Sequence, residues 1–161
     1  MTKINEILKD KDSVLAFDMD GVLSKMEFGE YNHFAMTDEE WKKACDDTEE
    51  GLYKEEYVIK KIQKYLKKRN MDNIYVITKV YTENELKTKQ KFLTKYYQIK
   101  KENIFFVTSN SEKTEKLIEI KAKYPELEDY KIAMVEDSVD VLNDIFKKTN
   151  YSTIHISSFI D

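Results

Sequence analysis

Cysteine, proline, glycine and arginine are all scarce in this chain of 161 residues. The single cysteine, Cys45, excludes an internal disulfide and fits a reducing compartment. In Ala44-Cys45-Asp46-Asp47 the neighbouring carboxylates disfavour a thiolate, which argues against a reactive role. With one proline and three glycines there is no linker, no internal repeat is visible, and residues 1–161 read as a single domain. Arg69 is the only arginine and the net charge is −4, so the chain has no basic surface with which to coat nucleic acid or a membrane. No segment approaches the roughly 20 consecutive apolar residues of a membrane span. The first dozen residues intersperse charges with Ile4, Ile7 and Leu8, the pattern of a short amphipathic helix rather than of a signal peptide. The expected location is the cytoplasm, as a monomer or homodimer acting on a small molecule.

What is abundant is an ordinary globular mixture, 41% hydrophobic and 36% charged, in a chain long enough to bury a core. Five short apolar runs read as strands, at residues 13–18, 74–78, 104–107, 132–136 and 153–157. Helical spacing falls between them. Residues 54–69 place Val58, Ile62, Tyr65 and Leu66 on one face, and 112–124 and 138–148 carry similar stripes. Thr82-Glu83-Asn84-Glu85 has the form of a capping box ahead of Leu86, Leu93 and Tyr97. This alternation predicts an α/β, Rossmann-like parallel sheet of about five strands with helices on both faces. Residues 22–52 interrupt it after the first strand. They are strongly acidic, contain a short capped helix at 37–47 carrying Trp41, and read as a small cap over the strand ends.

In such sheets the chemistry collects at the carboxyl ends of the strands. Those ends carry Asp18 and Asp20, then Thr78, then the approach through Thr108 and Ser109 to Lys113, then Glu136 and Asp137. Carboxylates converging on one rim cannot all ionise unless a cation joins them. Oxygen donors without histidine or cysteine favour Mg²⁺. A metal, a lysine and a hydroxyl together form a socket for a phosphoryl group, whose transfer needs charge neutralisation and alignment above all. The Asp-x-Asp spacing points two carboxylates the same way, one able to attack phosphorus and the other to manage the leaving-group proton.

Asp18-Met19-Asp20-Gly21-Val22-Leu23, Val76-Ile77-Thr78, Lys113 at a helix start, and Val135-Glu136-Asp137-Ser138 follow one another in order. In these four motifs the chain resembles the haloacid dehalogenase (HAD)-like hydrolase superfamily, and among its members the small-cap phosphatases. The resemblance implies Asp18 as nucleophile and Asp20 as acid/base, with Thr78 and Lys113 binding the phosphoryl group. It implies Mg²⁺ held by the Asp18 side chain, the Asp20 carbonyl and Asp137, with Glu136 or Asp140 as a further acid. The expected activity is Mg²⁺-dependent phosphomonoester hydrolysis through an aspartyl-phosphate, with nucleoside monophosphates the first substrate class by analogy. Lys79 departs from the family's small residue after the threonine and reads as a solvated loop cation. Lys116 and Lys121 compete with Lys113 but lie further from the rim. His33 reads as a packed cap residue, and His155, Tyr53 and Tyr57 as structural. The alternatives are a phosphosugar mutase, which needs a larger cap, and a non-catalytic phospho-signalling or binding module of the receiver kind. A receiver places its phosphoacceptor after the third strand, where this chain has Thr108-Ser109-Asn110.

Overall fold

Strand β1 (Val14–Phe17) is buried on both sides, because Leu15 and Phe17 face one core while Val14 and Ala16 face another. Continuous apolar strands of this kind belong in the middle of a parallel sheet. In the computed structural model, which describes residues 3–25, 35–48 and 52–160, β1 holds that position. It pairs in parallel with β2 (Ile74–Lys79) on one side and β4 (Ile132–Glu136) on the other. β3 (Ile104–Val107) and β5 (Ser152–His155) complete the order β3-β2-β1-β4-β5, all parallel. The predicted Rossmann-like architecture is therefore present.

Helices cover both faces. Ile7 of α1 (Lys3–Lys9), Ile62 and Leu66 of α3 (Lys60–Leu66), and Phe92, Leu93 and Tyr97 of α4 (Glu83–Tyr97) pack on the Phe17 side. Leu117 and Ile120 of α5 (Glu112–Ala122) and Val141 and Ile145 of α6 (Val139–Lys148) pack on the Ala16 side. From β1 the chain builds outward through β2 to β3, then crosses to β4 and β5 on the other side, so the switch between β1 and β4 opens a crevice at the end of β1. Arg69, the lone arginine, is buried and donates to the Leu8, Asp10 and Ser13 carbonyls, tying α1 to the start of β1.

Between β1 and α3, helix α2 (Asp38–Asp47) has the predicted cap. The Thr37 hydroxyl accepts from the Glu40 N–H, and the Glu40 carboxylate accepts from the Thr37 N–H at 2.7 Å. Trp41, Ala44, Cys45 and Leu52 form a small core of their own. Burial raises the Cys45 thiol to about 12, in keeping with an inert side chain. Of the expected cap, residues 26–34, and so His33, lie outside the described residues, as do 49–51.

Two predicted elements differ. The stripe over 54–69 is not one helix. Glu55–Tyr57 form a 3₁₀ turn, Val58 bridges Ser24, and α3 begins only at Lys60. The Tyr57 carbonyl is taken by the N–H of Lys25 at 2.7 Å, so this backbone serves the loop after β1 instead of an α-helix. The last strand ends at His155, whose ring accepts the Ser157 N–H and caps a 3₁₀ turn over Ile156–Phe159. Among the described residues no helix is long and apolar enough to cross a membrane.

Candidate active site at the end of the first strand

The chain folds back sharply after β1. The Met19 carbonyl receives the N–H groups of Val22, Leu23 and Ser24, and Gly21 adopts φ 79°, a conformation that suits glycine. Buried Met19, Val22 and Leu23 anchor this loop in the core. Asp18 and Asp20 are thereby left at the crevice, both largely buried.

Lys113 meets Asp18 from the Ala16 face of the sheet. Glu112 accepts from the Thr108 and Ser109 hydroxyls and from the Ser109 N–H, which fixes the turn between β3 and α5. The Thr114 hydroxyl donates to Asp144 of α6 at 2.7 Å. Held in this way, Lys113 is 3% exposed, and its ammonium lies 2.9 Å from Asp18 Oδ1 and 2.7 Å from Glu136 Oε2. Burial works against its charge, but Asp18 and Glu136 outweigh it and raise the lysine's pKa. Lys116 instead pairs with Glu119, and Lys121 lies 3.6 Å from Asp129.

Glu136 and Asp137 arrive at the end of β4. The second oxygen of Glu136 accepts the N–H groups of Asp137 and Ser138, so this carboxylate is committed to Lys113 and to the backbone leading into α6. Carboxylate oxygens of Asp18, Glu136 and Asp137 all lie within 4.8 Å of one another. Asp140, the alternative acid, is exposed on the first turn of α6 and lies outside this group. Burial, foremost, raises Asp18 from 3.8 to about 7; the Glu136 and Asp20 charges add to it, and Lys113 opposes it. Desolvation likewise raises Glu136 and Asp137. One buried ammonium does not offset three clustered carboxylates. The donor set, all hard oxygens in a half-closed crevice, fits a divalent cation such as Mg²⁺.

The crevice is a cavity of about 270 Å³. Asp18, Asp20, Thr78, Lys113, Glu136 and Asp137 all line it, joined by Lys79, Tyr81, Asn110 and Ser138. Lys79 is half-buried at the rim. Its ammonium donates to the Tyr81 hydroxyl at 2.6 Å, and that hydroxyl donates to Asp38 of α2. A larger open hollow of about 800 Å³ beside α1 and β5 contains none of the clustered acids.

Three participants in this region escape the sequence reading. Lys89 lies 2.7 Å from Asp20 Oδ2, and Tyr53 donates to Asp20 Oδ1 at 2.8 Å. Glu85, expected to complete a capping box on Thr82, sends one oxygen to the Tyr81 N–H. The other binds Lys89 and the Trp41 indole N–H. A signal for Lys89 was present: it falls in the same helical stripe as Leu86, Leu93 and Tyr97, four residues after Glu85, where a solvated lysine has no place.

No known family model matches this chain, and no curated protein matches it. The site is therefore interpreted from its own residues.

Proposed function

We propose that the protein is a Mg²⁺-dependent phosphomonoesterase of the HAD-like type, working through an aspartyl-phosphate on Asp18. The observation that carries this reading is the group of Asp18, Glu136 and Asp137 around Lys113, at the ends of β1 and β4 where the strand order switches, with Asp20 two residues from Asp18. Asp18 and Asp137 would hold the metal by their carboxylates, and Asp20 by its main-chain carbonyl. Bound there, Mg²⁺ would supply the positive charge that a phosphoryl dianion and its transition state require.

The protein's own groups do the rest. The Asp18 carboxylate attacks phosphorus, and the bond from phosphorus to the leaving oxygen breaks. Asp20 delivers its proton to that oxygen, and the alcohol departs. A water then attacks the phosphorus of the aspartyl-phosphate as Asp20 takes back a proton, releasing inorganic phosphate and restoring both aspartates. Lys113 and Thr78 hold the non-bridging oxygens in this reading, which their place in the cavity lining supports. The modest cavity and its open rim suit a small phosphorylated substrate, with nucleoside monophosphates the first class to try.

The test is phosphate release from p-nitrophenyl phosphate, nucleoside monophosphates and sugar phosphates, with Mg²⁺ and then with EDTA. Turnover should require the metal and disappear in Asp18→Asn. An asparagine variant that keeps the wild-type rate would overturn the nucleophile assignment.

A further inference from the structure

Each aspartate of the Asp-x-Asp pair has a buried lysine of its own, and the two lysines come from opposite faces of the sheet. Lys113 reaches Asp18 from α5, on the Ala16 side. Lys89 reaches Asp20 from α4, on the Phe17 side. Lys89 is 1% exposed and does not line the cavity, so it touches no substrate there. It instead grips three residues that do line it. Its ammonium lies 2.7 Å from Asp20 Oδ2 and donates to Thr78 Oγ1 at 3.2 Å, and it also donates to the Lys79 carbonyl at 2.6 Å.

Lys89 is braced from behind. Glu85 Oε1 holds the ammonium at 2.9 Å and accepts the Trp41 indole N–H at 3.1 Å, while Glu85 Oε2 accepts the Tyr81 N–H. Tyr53 fastens the other Asp20 oxygen. A buried lysine needs compensation, and Glu85 alone would give it an ion pair within its own helix. Drawing in Asp20 has a further consequence: the oxygens that converge as a metal group come from Asp18, Glu136 and Asp137, and not from Asp20.

We propose that Lys89 is a positioning residue: held by Glu85 and aided by Tyr53, it keeps the Asp20 carboxylate out of the metal cluster and directed to the leaving group. The inference rests on the reading of Asp20 as the acid/base. It predicts that loosening Lys89 damages hydrolysis of esters that need their leaving oxygen protonated far more than hydrolysis of those that do not.

The experiment compares β-glycerol phosphate, an alkyl ester with a basic leaving group, with p-nitrophenyl phosphate, whose phenolate leaves readily. Glu85→Gln/Lys89→Met removes one charge of each sign and keeps the net charge of the network. In this variant kcat for the alkyl ester should fall by about 100-fold, the scale of acid–base assistance, and kcat for the aryl ester by a much smaller factor. Mg²⁺ affinity, measured by calorimetry on the metal-free protein, should be unchanged or tighter. Tyr53→Phe removes only one hydrogen bond to Asp20 and should shift the alkyl-to-aryl ratio in the same direction by a few fold. It carries the test if the double variant does not fold. Equal losses on both esters, an unchanged ratio in a folded variant, or weakened Mg²⁺ binding would overturn the positioning role. If the wild type released phosphate from neither ester, the phosphatase reading would fall and this inference with it.

Discussion

Replacing Asp18 by asparagine should stabilise the metal-free protein, and more strongly as pH rises. Burial, then the charges of Glu136 and Asp20, raise this carboxyl from the ordinary 3.8 to about 7 against the pull of Lys113. An unfolded chain releases the proton near the ordinary value, whereas the folded chain keeps it until about pH 7. The contribution of the protonated carboxyl to stability is thus complete below pH 4 and is lost as pH climbs to 7. The gap corresponds to roughly 4 kcal/mol once pH exceeds 7, and to roughly 1.5 kcal/mol at pH 5. An amide has the size and neutrality of the protonated carboxyl and escapes the penalty. In EDTA, the advantage of Asp18→Asn over wild type should therefore grow between pH 5 and pH 8. For a chain of this size the growth amounts to about 5–10 °C in melting temperature. Circular dichroism at 222 nm measures it, and taking the difference between the two proteins removes the titrating groups that do not interact with Asp18. Saturating Mg²⁺ at pH 8 should raise the wild type and leave the variant nearly unmoved. A variant advantage that is absent, or the same at both pH values, would refute the reading that burial penalises the Asp18 carboxylate.

Lys113→Met should leave Asp18 and Glu136 buried without their shared ammonium. We expect a loss of about 3–5 kcal/mol in urea unfolding without metal, and a fall in phosphate release of at least about 100-fold; a folded variant with normal kcat would exclude Lys113 from the site. Arg69→Met should orphan the carbonyls of Leu8, Asp10 and Ser13, costing about 2–4 kcal/mol in the same assay. Its kcat at temperatures where it remains folded should match wild type, since Arg69 lies behind the sheet start and not at the strand ends.

The strands were legible because their signal is local. Residues 104–107 and 132–136 are short apolar runs between turns, and they form strands with those bounds. The capped start of the helix at Thr37 was legible for the same reason, since both hydrogen bonds of its cap close within three residues. The helix expected over 54–69 was not recoverable in this way. Its first turn is claimed by the loop after β1, more than thirty residues earlier in the chain, through Tyr57 and Val58. Glu85 shows how a local rule can be half kept: Thr82 accepts the Glu85 N–H as a cap should, yet the carboxylate leaves for Lys89, Trp41 and Tyr81.

From the order of residues alone came the parallel α/β sheet and the list of polar groups at its strand ends, because hydrophobic period and turn chemistry are written within a few residues. The fold decided which of those groups meet. It joined Lys113 to Asp18 and Glu136, left Asp140 exposed, and brought Lys89 and Tyr53 to the two oxygens of Asp20. Charge pairing acts over a few ångströms but is blind to separation along the chain. A lysine 69 positions after its aspartate becomes its partner only when a helix and a strand have packed to bury both.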